Sequence, residues 1–186
     1  MADKFRAAPP RLKHINAALE AATIRRPRVL EIGCGDGRDA KEIIKHVSWY
    51  KGVDVSEELV KLARDYVPEA DFEVADAVTY HYPKDIDVVL AFASFLHLDR
   101  DECAAVFKKL HKALNKDGVI YLSLKWAEAY KMETNTDRFG ERQYYFYNEQ
   151  VIKEIVGDLF TIEKSWKEHL PSANHTEWIE VILKKV

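Results

Sequence analysis

The stretch EIGCGDG (31–37) constrains the fold of this chain most, because it holds three of the seven glycines. It follows the apolar run RVLEIG (28–33), which predicts a β-strand, and precedes DAKEIIKHV (39–47), whose spacing predicts a helix. Glycine permits the dihedrals of a tight strand-to-helix turn and lets a ligand approach the main chain closely. Because such a turn lies at the carboxyl end of its strand, we expect a ligand site there in an open α/β sheet.

Strand-like and helix-like segments alternate along the rest of the chain. Further strands are predicted at YKGVDV (50–55), DFEVAD (71–76), IDVVLAFA (86–93) and VIYLSLK (119–125). Helices are predicted after Ser56, after Asp99 with Glu102 as a capping box, and after Asn148, with Gly157 ending the last one. This alternation predicts a parallel sheet covered by helices on both faces. The segments 160–166 and 177–185 alternate in polarity and predict an antiparallel hairpin at the end of the sheet.

The length of 186 residues fits one domain, which we predict to span residues 1–186. Apolar residues at helical spacing over 10–22 predict a helix ahead of the first strand, so residues 1–24 are interpreted as an N-terminal helical extension. In this position it can close over the ligand site or simply pack on the sheet. The insert 127–147 is predicted to be a substrate-binding loop or lid, because loops of this length in a compact domain often bind ligands.

Composition narrows the partners and the compartment. The formal net charge is -3, which argues against a broad nucleic-acid-binding face. The longest mostly apolar run, Val88 to Leu98, is too short to span a membrane, and the N-terminus carries no apolar signal core. Cys34 and Cys103, the two cysteines, lack metal-ligand spacing and are expected to be free thiols. We therefore predict a cytoplasmic protein with neither a nucleic-acid nor a membrane partner.

Two ligands compete for the glycine loop. The dinucleotide fingerprint is G-x-G-x-x-G with an acid about 20 residues later, and Gly33, Gly35 and Asp54 match it. The third position does not match, because Arg38 stands where that fold needs a small residue for packing. Glu31 also suits a pyrophosphate poorly, since like charges repel. The alternative is a cationic ligand that bears an amino acid.

On these residues the chain resembles the class I S-adenosylmethionine-dependent methyltransferases, from about Val29 to Val186. VLEIGCGDG is similar to the family's first motif, and GVDVS and EVADA are similar to the ends of its second and third strands. LAFASFLHL matches its fourth motif, and LNKDGVIYLS the segment entering its fifth strand. The resemblance implies a Rossmann-like three-layer α/β sandwich, with a seven-stranded, mostly parallel sheet and an antiparallel final strand. It also implies S-adenosylmethionine as cofactor and S-adenosylhomocysteine as product.

The resemblance implies a set of cofactor-binding residues at the strand ends. Asp54 is the expected ribose acid, which can accept both ribose hydroxyls, and Asp76 with Ala77 is expected near the adenine. Glu31 is expected to favour the cationic end of the cofactor, directly or through water. The full expected set is Glu31, Gly33, Cys34, Gly35, Gly37, Arg38, Asp54, Val55, Asp76, Ala77, Phe92 and Ala93.

Methyl transfer from a sulfonium is an in-line displacement from an activated donor, so the enzyme mainly aligns the reactants in a dry site. A general base is needed only when the acceptor holds its proton firmly. His97, just past the fourth strand, is the candidate base; the alternative is that it packs on the cofactor or caps the next helix. The family's (N/D/S)-P-P-(F/Y/W) pattern is replaced here by AFASFLHL, which disfavours methylation of nucleic-acid bases. The form S-F-L-H-L resembles the small-molecule enzymes of the family.

The acceptor is expected beside the ends of the fourth and fifth strands and under the loop 167–177. The expected acceptor-binding residues are Ser94, His97, Lys125, Trp126, Tyr144, Tyr145 and His169, with Arg138, Arg142 and Tyr147 as further candidates from the insert. For the tyrosines, an edge strand packed on the core is an equal alternative. We predict no metal site, because His169 and His175 are spaced too loosely to form a ligand set.

The leading prediction is a methyltransferase acting on a small molecule, as a monomer or a homodimer. A peptide or protein acceptor is the nearest alternative within methyl transfer. A non-catalytic cofactor-binding subunit and an NAD-binding oxidoreductase are the alternatives from other classes. The acceptor and its methylated atom stay open at this point.

Overall fold

The structure of the protein is a computed structural model that describes residues 9–137, 140–169 and 176–186. Five α-helices are α1 (Leu12–Ala21), α2 (Ala40–Ile43), α3 (Glu57–Tyr66), α4 (Arg100–Ala113) and α5 (Glu149–Val156). Nine strands are β1 (Arg28–Ile32), β2 (Trp49–Asp54), β3 (Asp71–Val74), β4 (Ile86–Phe92), β5 (Leu114–Trp126), β6 (Lys131–Asp137), β7 (Gly140–Tyr147), β8 (Phe160–His169) and β9 (Glu177–Lys185). In this described part of the chain, no helix combines the length and the apolarity needed to cross a bilayer.

Seven strands form the central sheet in the order β3-β2-β1-β4-β5-β9-β8. Strands β1 to β5 are parallel, while β9 runs antiparallel to both β5 and β8. This confirms the predicted mostly parallel sheet with an antiparallel final strand, including the predicted hairpin at the end. Because the chain proceeds outward from β1 to β3 and then returns to β4, the strand order reverses between β1 and β4. Ligands of open α/β sheets bind at such a switch point.

Helices cover both faces of the sheet, which confirms the three-layer sandwich. Helices α1, α2 and α3 pack on one face through Ile15, Ala18, Ile43, Val60 and Ala63. Helices α4 and α5 cover the other face, where Val106, Leu110 and Ile152 meet β4 and β5. Strand β4 is buried at all seven positions, as expected for a strand covered on both sides.

The predicted helix caps are confirmed. The Ser56 hydroxyl accepts the Leu59 N–H at 3.3 Å, and Asp99 and Glu102 form the capping box at the start of α4. Asn148 caps α5 by accepting the Val151 N–H at 2.9 Å. The helix predicted over 39–47 is wrong in extent, since α2 ends at Ile43. Lys45 and Val47 therefore lie beyond the end of α2, where their carbonyl oxygens accept hydrogen bonds from the Arg26 guanidinium.

The insert 127–147 is a β-hairpin and not a loop, which corrects the predicted form of this segment. Strands β6 and β7 pair from Lys131 with Phe146 to Asp137 with Gly140. Gly140, the first residue of β7, has a φ of 106°, a left-handed value that glycine adopts without strain. The last two residues of β5 pair with Phe146 and Tyr147, which fixes the hairpin beside the carboxyl edge of the sheet.

Candidate active site

The glycine loop after β1 lies between the ends of two neighbouring strands. The Gly33 N–H donates to the Val53 carbonyl of β2 at 2.7 Å. A Cβ at Gly33 would lie 2.4 Å from the Ser94 Cβ, and its φ is 79°, so only glycine fits between β1 and the end of β4. At Gly35, with a φ of 55°, no described atom lies within 4 Å of such a Cβ. The loop is therefore closed toward β4 and open at Gly35.

Gly37 has a different role from that of Gly35. Its φ is 81°, and a Cβ there would lie 3.2 Å from the backbone and the Cβ of Ala63. This glycine lets α3 pack against the loop. Arg38, half-buried, donates from Nη2 to the Asp39 carboxylate at 3.1 Å and so supports the loop from behind.

Asp54 links the ends of β1 and β2. One carboxylate oxygen accepts the Gly35 N–H at 2.9 Å, and the other accepts the Ser56 N–H at 2.9 Å. Each oxygen keeps a further lone pair for a ligand hydroxyl. The neighbouring Val55 is 72% exposed, so its side chain is open to contact with a ligand. These features fit the ribose and base of a nucleoside.

The end of β3 completes this edge. Asp76 is exposed, and its Oδ1 accepts the Val78 N–H at 2.7 Å, which orients the turn that carries Ala77. Val74, the last residue of β3, is 43% exposed. Acidic and apolar groups thus follow β2 and β3 at the same edge, as the sequence predicts.

Glu31, expected to favour the cationic end of the cofactor as a carboxylate, is buried beneath the loop. Its side chain is 1% exposed and accepts the Tyr50 hydroxyl proton at 2.6 Å. Burial, together with the nearby Asp39 carboxylate, raises the pKa of Glu31 from 4.5 to about 8. At neutral pH it is therefore mostly protonated and contributes a hydrogen-bonding carboxyl group beneath the loop, not a negative charge.

Cys34 also differs from expectation. Its side chain is buried and packs against Gly52, where a Cβ would lie 2.9 Å from the Cys34 Cβ. Its N–H donates to the Val53 carbonyl, so the group expected to face the cofactor is used within the fold. Burial raises the pKa of the thiol, which keeps it protonated.

The end of β4 carries strained and unpaired groups. Ala93 has a φ of 56°, which is uncommon for a residue with a Cβ and typical of functional turns. Its N–H donates to the Ser123 carbonyl of β5 at 3.0 Å. The buried Ser94 Oγ makes no hydrogen bond within the described residues. Phe92 turns to the α1 face, where its ring lies 6.2 Å from that of His14.

His97 follows in a short 3₁₀ turn (Phe95–His97) and contacts the hairpin. Its Nδ1 lies 3.0 Å from the Gln143 carbonyl oxygen, so Nδ1 carries the proton in the neutral ring. Desolvation lowers the pKa of His97, and the charges of Arg142 and Lys125 lower it further. The ring is therefore neutral near pH 7, and within the described chain its Nε2 has no hydrogen bond.

Three of the predicted acceptor residues come together on one side of the hairpin. The Tyr144 ring lies 4.8 Å from the His97 ring, and the Lys125 Nζ lies 3.8 Å from the Tyr144 centroid. His97, Lys125 and Tyr144 thus form a cluster beside the end of β4.

Four of the other predicted acceptor residues lie elsewhere. Tyr145 points to the opposite side of β7 and stacks on Tyr130 at 6.0 Å, because neighbouring strand residues alternate. For the same reason, the Trp126 side chain points to the other side of β5 from that of Lys125. The Lys167 ammonium lies over the Trp126 ring. The Tyr147 hydroxyl is held in the core by the Leu98 carbonyl. His169 is exposed at the end of β8, and Arg138 and His175 lie outside the described residues.

Sequence reasoning missed the contacts that fasten α1 to this edge. The Arg11 guanidinium and backbone N–H both donate to Asp39, the backbone bond measuring 2.8 Å, and the guanidinium lies 5.4 Å from the Phe92 centroid. The charges of Arg11 and Arg38 hold the pKa of Asp39 below its usual value. Arg11 and Asp39 are 28 residues apart in sequence. Because only the fold brings them together, no local sequence pattern indicates this ion pair.

The fold and this edge define a class of protein: a Rossmann-like α/β domain with a glycine loop and carboxylates at the carboxyl ends of its parallel strands. Residues 29–118 match the sequence family described as a methyltransferase domain. A trans-aconitate 2-methyltransferase from Rhizobium rhizogenes is 28% identical over 99 residues, which are 52% of this chain and 38% of that protein. Matches to the first curated relatives cover 38% to 56% of their length, so the chain spans about half of them or less.

Solved structures agree in fold. A SAM-dependent methyltransferase from Methanosarcina mazei superposes with a TM-score of 0.79 at 16% identity, over 90% of this chain and 96% of that one. A Burkholderia thailandensis 1,6-didemethyltoxoflavin-N1-methyltransferase, solved with its acceptor and S-adenosylhomocysteine, gives 0.75 at 21% identity, over 92% and 76%.

Residues 29–118, slightly under half of the chain, thus match a methyltransferase domain, and the fold is that of S-adenosylmethionine-dependent methyltransferases of known structure. This confirms the resemblance. The Burkholderia neighbour carries S-adenosylhomocysteine, the demethylated product of S-adenosylmethionine.

Proposed function

We propose that the protein transfers the methyl group of S-adenosylmethionine to a small-molecule acceptor by in-line displacement. The proposal rests on one observation, which is that the ends of β1, β2 and β4 meet at the carboxyl edge of the sheet. Gly33 packs on Ser94, and Gly35 donates its N–H to Asp54. A donor site and an acceptor cluster therefore adjoin at the end of β4. The family match supports methyl transfer over the NAD-dependent alternative.

The residues of the edge fit the cofactor. Asp54 binds the ribose hydroxyls through its remaining lone pairs, and the exposed Val55 covers the adenine. Asp76 and the Ala77 amide bind the polar edge of the base. Gly35 lets the amino-acid part approach the main chain. When bound, the cofactor supplies a methyl group already activated by the positive charge of its sulfonium.

On the acceptor side, His97 is the proposed general base. Its Nδ1–H donates to the Gln143 carbonyl, which leaves Nε2 to take the acceptor proton. The lowered pKa of His97 keeps Nε2 unprotonated at neutral pH. Lys125 and Arg142 add positive charge beside it, which supports an acceptor with an acidic group. A relative named for trans-aconitate agrees with this class of acceptor.

Calorimetric titration of the full chain with S-adenosylhomocysteine, S-adenosylmethionine and NAD tests the donor site. We expect both sulfur ligands to bind and NAD to bind far more weakly. Asp54→Asn should weaken S-adenosylhomocysteine at least about tenfold, because a charge-assisted hydrogen bond contributes roughly 1.5–3 kcal/mol. Asp71→Asn, an exposed acid one strand away, is the control and should bind as the wild type does. Tighter NAD binding would overturn the proposal.

Incubation with S-adenosylmethionine labelled at its methyl group, against panels of small acids, planar heterocycles and peptides, tests the acceptor class. Label in a small acid or a heterocycle supports the proposal. Label only in peptides favours a protein methyltransferase, and no label in any acceptor, with cofactor bound, favours a non-catalytic subunit.

His97→Asn is then measured on the first acceptor found. Loss of the base should lower kcat about 100-fold or more. In the wild type, the acidic limb of the rate profile should lie below pH 6.5, the ordinary pKa of histidine, since the pKa of His97 is lowered. An unchanged kcat in His97→Asn, at saturating acceptor, would remove His97 from the chemistry.

A further inference from the structure

A second polar cluster lies beneath α1, on the sheet face that carries Tyr121 and Ser123. The His14 Nε2 lies 2.7 Å from Glu168 Oε2, and the Ser123 hydroxyl donates to Glu180 Oε1 at 2.8 Å. Glu180 faces Ser123 across the β5–β9 ladder, and Glu168 comes from the neighbouring strand β8. Helix α1 and the β8–β9 hairpin, which are far apart in sequence, thus bring one histidine and two carboxylates together.

Buried polar atoms in this cluster lack partners. His14 Nδ1, Glu180 Oε2 and the Tyr121 hydroxyl are all buried and have no partner at good hydrogen-bond geometry within residues 9–137, 140–169 and 176–186, although the Tyr121 hydroxyl lies near enough to the Glu180 carboxylate to interact with it. Glu180 is 1% exposed and Tyr121 is 0% exposed. Buried polar groups in native proteins almost always have a partner, and an unsatisfied one costs about 1–3 kcal/mol. Three such atoms at one place indicate that a further atom binds among them.

We propose that His14, Glu168 and Glu180 bind one divalent transition-metal ion. One ring nitrogen of His14 and one oxygen of each carboxylate all lie within 4.8 Å of one another. Ligands about 2.0–2.2 Å from a zinc ion are separated by roughly 3–3.5 Å, so small side-chain shifts complete the set. Two carboxylates and a neutral imidazole give a charge of -2, which a divalent ion neutralises.

The donor types select the metal. An imidazole with two carboxylates suits zinc or manganese, whereas calcium and magnesium prefer oxygen ligands alone. Lys13 donates to Glu168 Oε1 at 2.9 Å, which leaves Glu168 Oε2 to face the cluster.

The site also has a definite place relative to the donor edge. The His14 ring lies 5.8 Å from the Tyr121 ring and 6.2 Å from the Phe92 ring, and Phe92 ends the strand that leads to Ser94. An ion here would fasten α1 to β8 and β9 beside the proposed methyl-transfer site.

Untagged full-length protein, stripped with a chelator and dialysed against Zn²⁺, Mn²⁺ or Mg²⁺, tests the site by mass spectrometry of the bound metal. We expect one Zn²⁺ or Mn²⁺ per chain and no stoichiometric Mg²⁺. Glu180→Gln and His14→Gln should lower the affinity more than about 100-fold, since even residues that only support a ligand change it 10- to 100-fold. Co²⁺ should give visible absorption bands in the wild type that Glu180→Gln lacks.

Matched controls use exposed residues of the same strands, Glu177→Gln and His169→Gln, which should bind metal as the wild type does. Glutamine at position 180 keeps an acceptor for Ser123, and far-UV circular dichroism of the metal-free variants checks that they fold. Absence of stoichiometric Zn²⁺ or Mn²⁺, as expected if only water joins these atoms, overturns the inference. So does equal binding by the Glu180 and His14 variants.

The test of the metal site and the test of the proposed function can fail independently of each other. Binding of S-adenosylhomocysteine without metal binding refutes the metal site alone, and metal binding without S-adenosylhomocysteine refutes the methyl-donor site alone. The sequence expectation of no metal site considered only His169 and His175, neither of which belongs to this set.

Discussion

Gly33 and Gly35 belong to one loop but should respond differently to the same substitution. Gly33→Ala forces a Cβ against Ser94 at 2.4 Å in a left-handed conformation. We expect a loss of about 2–4 kcal/mol in the free energy of unfolding, from the conformation and the overlap together. Gly35→Ala meets no described atom within 4 Å and should lose only about 1–2 kcal/mol.

The affinity for S-adenosylhomocysteine should be reduced more by Gly35→Ala than by Gly33→Ala, which is the reverse of their order in stability. A methyl group at Gly35 occupies the surface that the cofactor approaches, so Gly35→Ala should weaken S-adenosylhomocysteine more than its small loss of stability suggests. Urea unfolding and calorimetric titration measure the two effects. Equal stability of the two variants would contradict the close packing of Gly33 on the end of β4.

Glu31 should make stability fall as pH rises. The pKa of Glu31 is about 8 in the folded protein against 4.5 for an ordinary glutamate, so the folded state holds a proton that the unfolded state has lost between these values. The contribution is fully present below about pH 4.5 and is lost as pH approaches 8, with a slope of up to about 1.4 kcal/mol per pH unit.

Glu31→Gln removes this slope, because an amide keeps the Tyr50 hydrogen bond and does not titrate. Urea unfolding at several pH values from 5 to 8 should give a flatter profile for this variant than for the wild type. Glu69→Gln, an exposed change in a loop, should follow the wild-type profile. Parallel profiles for the wild type and Glu31→Gln would show that Glu31 is ionised in the folded protein.

At the scale of the elements, α1 depends on one ion pair for its contact with the glycine loop. Asp39 is 4% exposed in its side chain and Arg11 is 31% exposed. Arg11→Ala should cost about 1–3 kcal/mol, less than a fully buried pair because solvent screens the arginine. Hydrogen exchange of residues 12–21 should increase, while β1 and β4 stay protected.

Arg25→Ala, at the other end of the helix segment and exposed, is the matched control and should leave the exchange of α1 unchanged. If Arg11→Ala speeds exchange equally in α1 and in the central strands, the ion pair stabilises the whole fold and does not specifically dock this helix.

The order and type of the central elements were predictable from local signals. Capping residues such as Ser56 and Asp99 act on main-chain groups three residues away, so the sequence displays the whole interaction. The hairpin β6–β7 was not predictable from local signals, because its pairing with the end of β5 depends on a surface that only the folded sheet provides. Loop signals such as polarity and length do not separate an exposed hairpin from an irregular segment.

The candidate site was likewise predictable from the sequence only in part. The positions of Gly33, Gly35 and Asp54 at the strand ends were predictable, since the alternation of strands and helices sets the direction of each strand. The charge state of Glu31 was not, because it depends on burial and on Tyr50 from the next strand. Neither was the grouping of His14 with Glu168, 154 residues apart in sequence. Long-range contacts of this kind leave no trace in local periodicity.

The whole molecule should unfold as one unit, as the prediction of a single domain over residues 1–186 requires. Trp49 lies in β2 near one edge of the sheet, and Trp166 lies in β8 at the other edge. Two variants, each keeping one of these tryptophans and carrying phenylalanine at the other three positions, report on the two edges separately. Continuous packing between them through β1, β4, β5 and β9 should give a single transition in each variant.

The measurement is urea unfolding followed by tryptophan fluorescence and by far-UV circular dichroism on the same sample. In each variant the two midpoints should coincide, whatever stability the phenylalanine substitutions remove, because both probes then follow the same event. S-adenosylhomocysteine at 100 times its dissociation constant should raise the free energy of unfolding by about 2.7 kcal/mol, so both midpoints should move to higher urea together. A Trp166 transition at lower urea than the dichroism transition of the same variant would mean that β8 and β9 unfold on their own, and that the chain holds more than one cooperative unit.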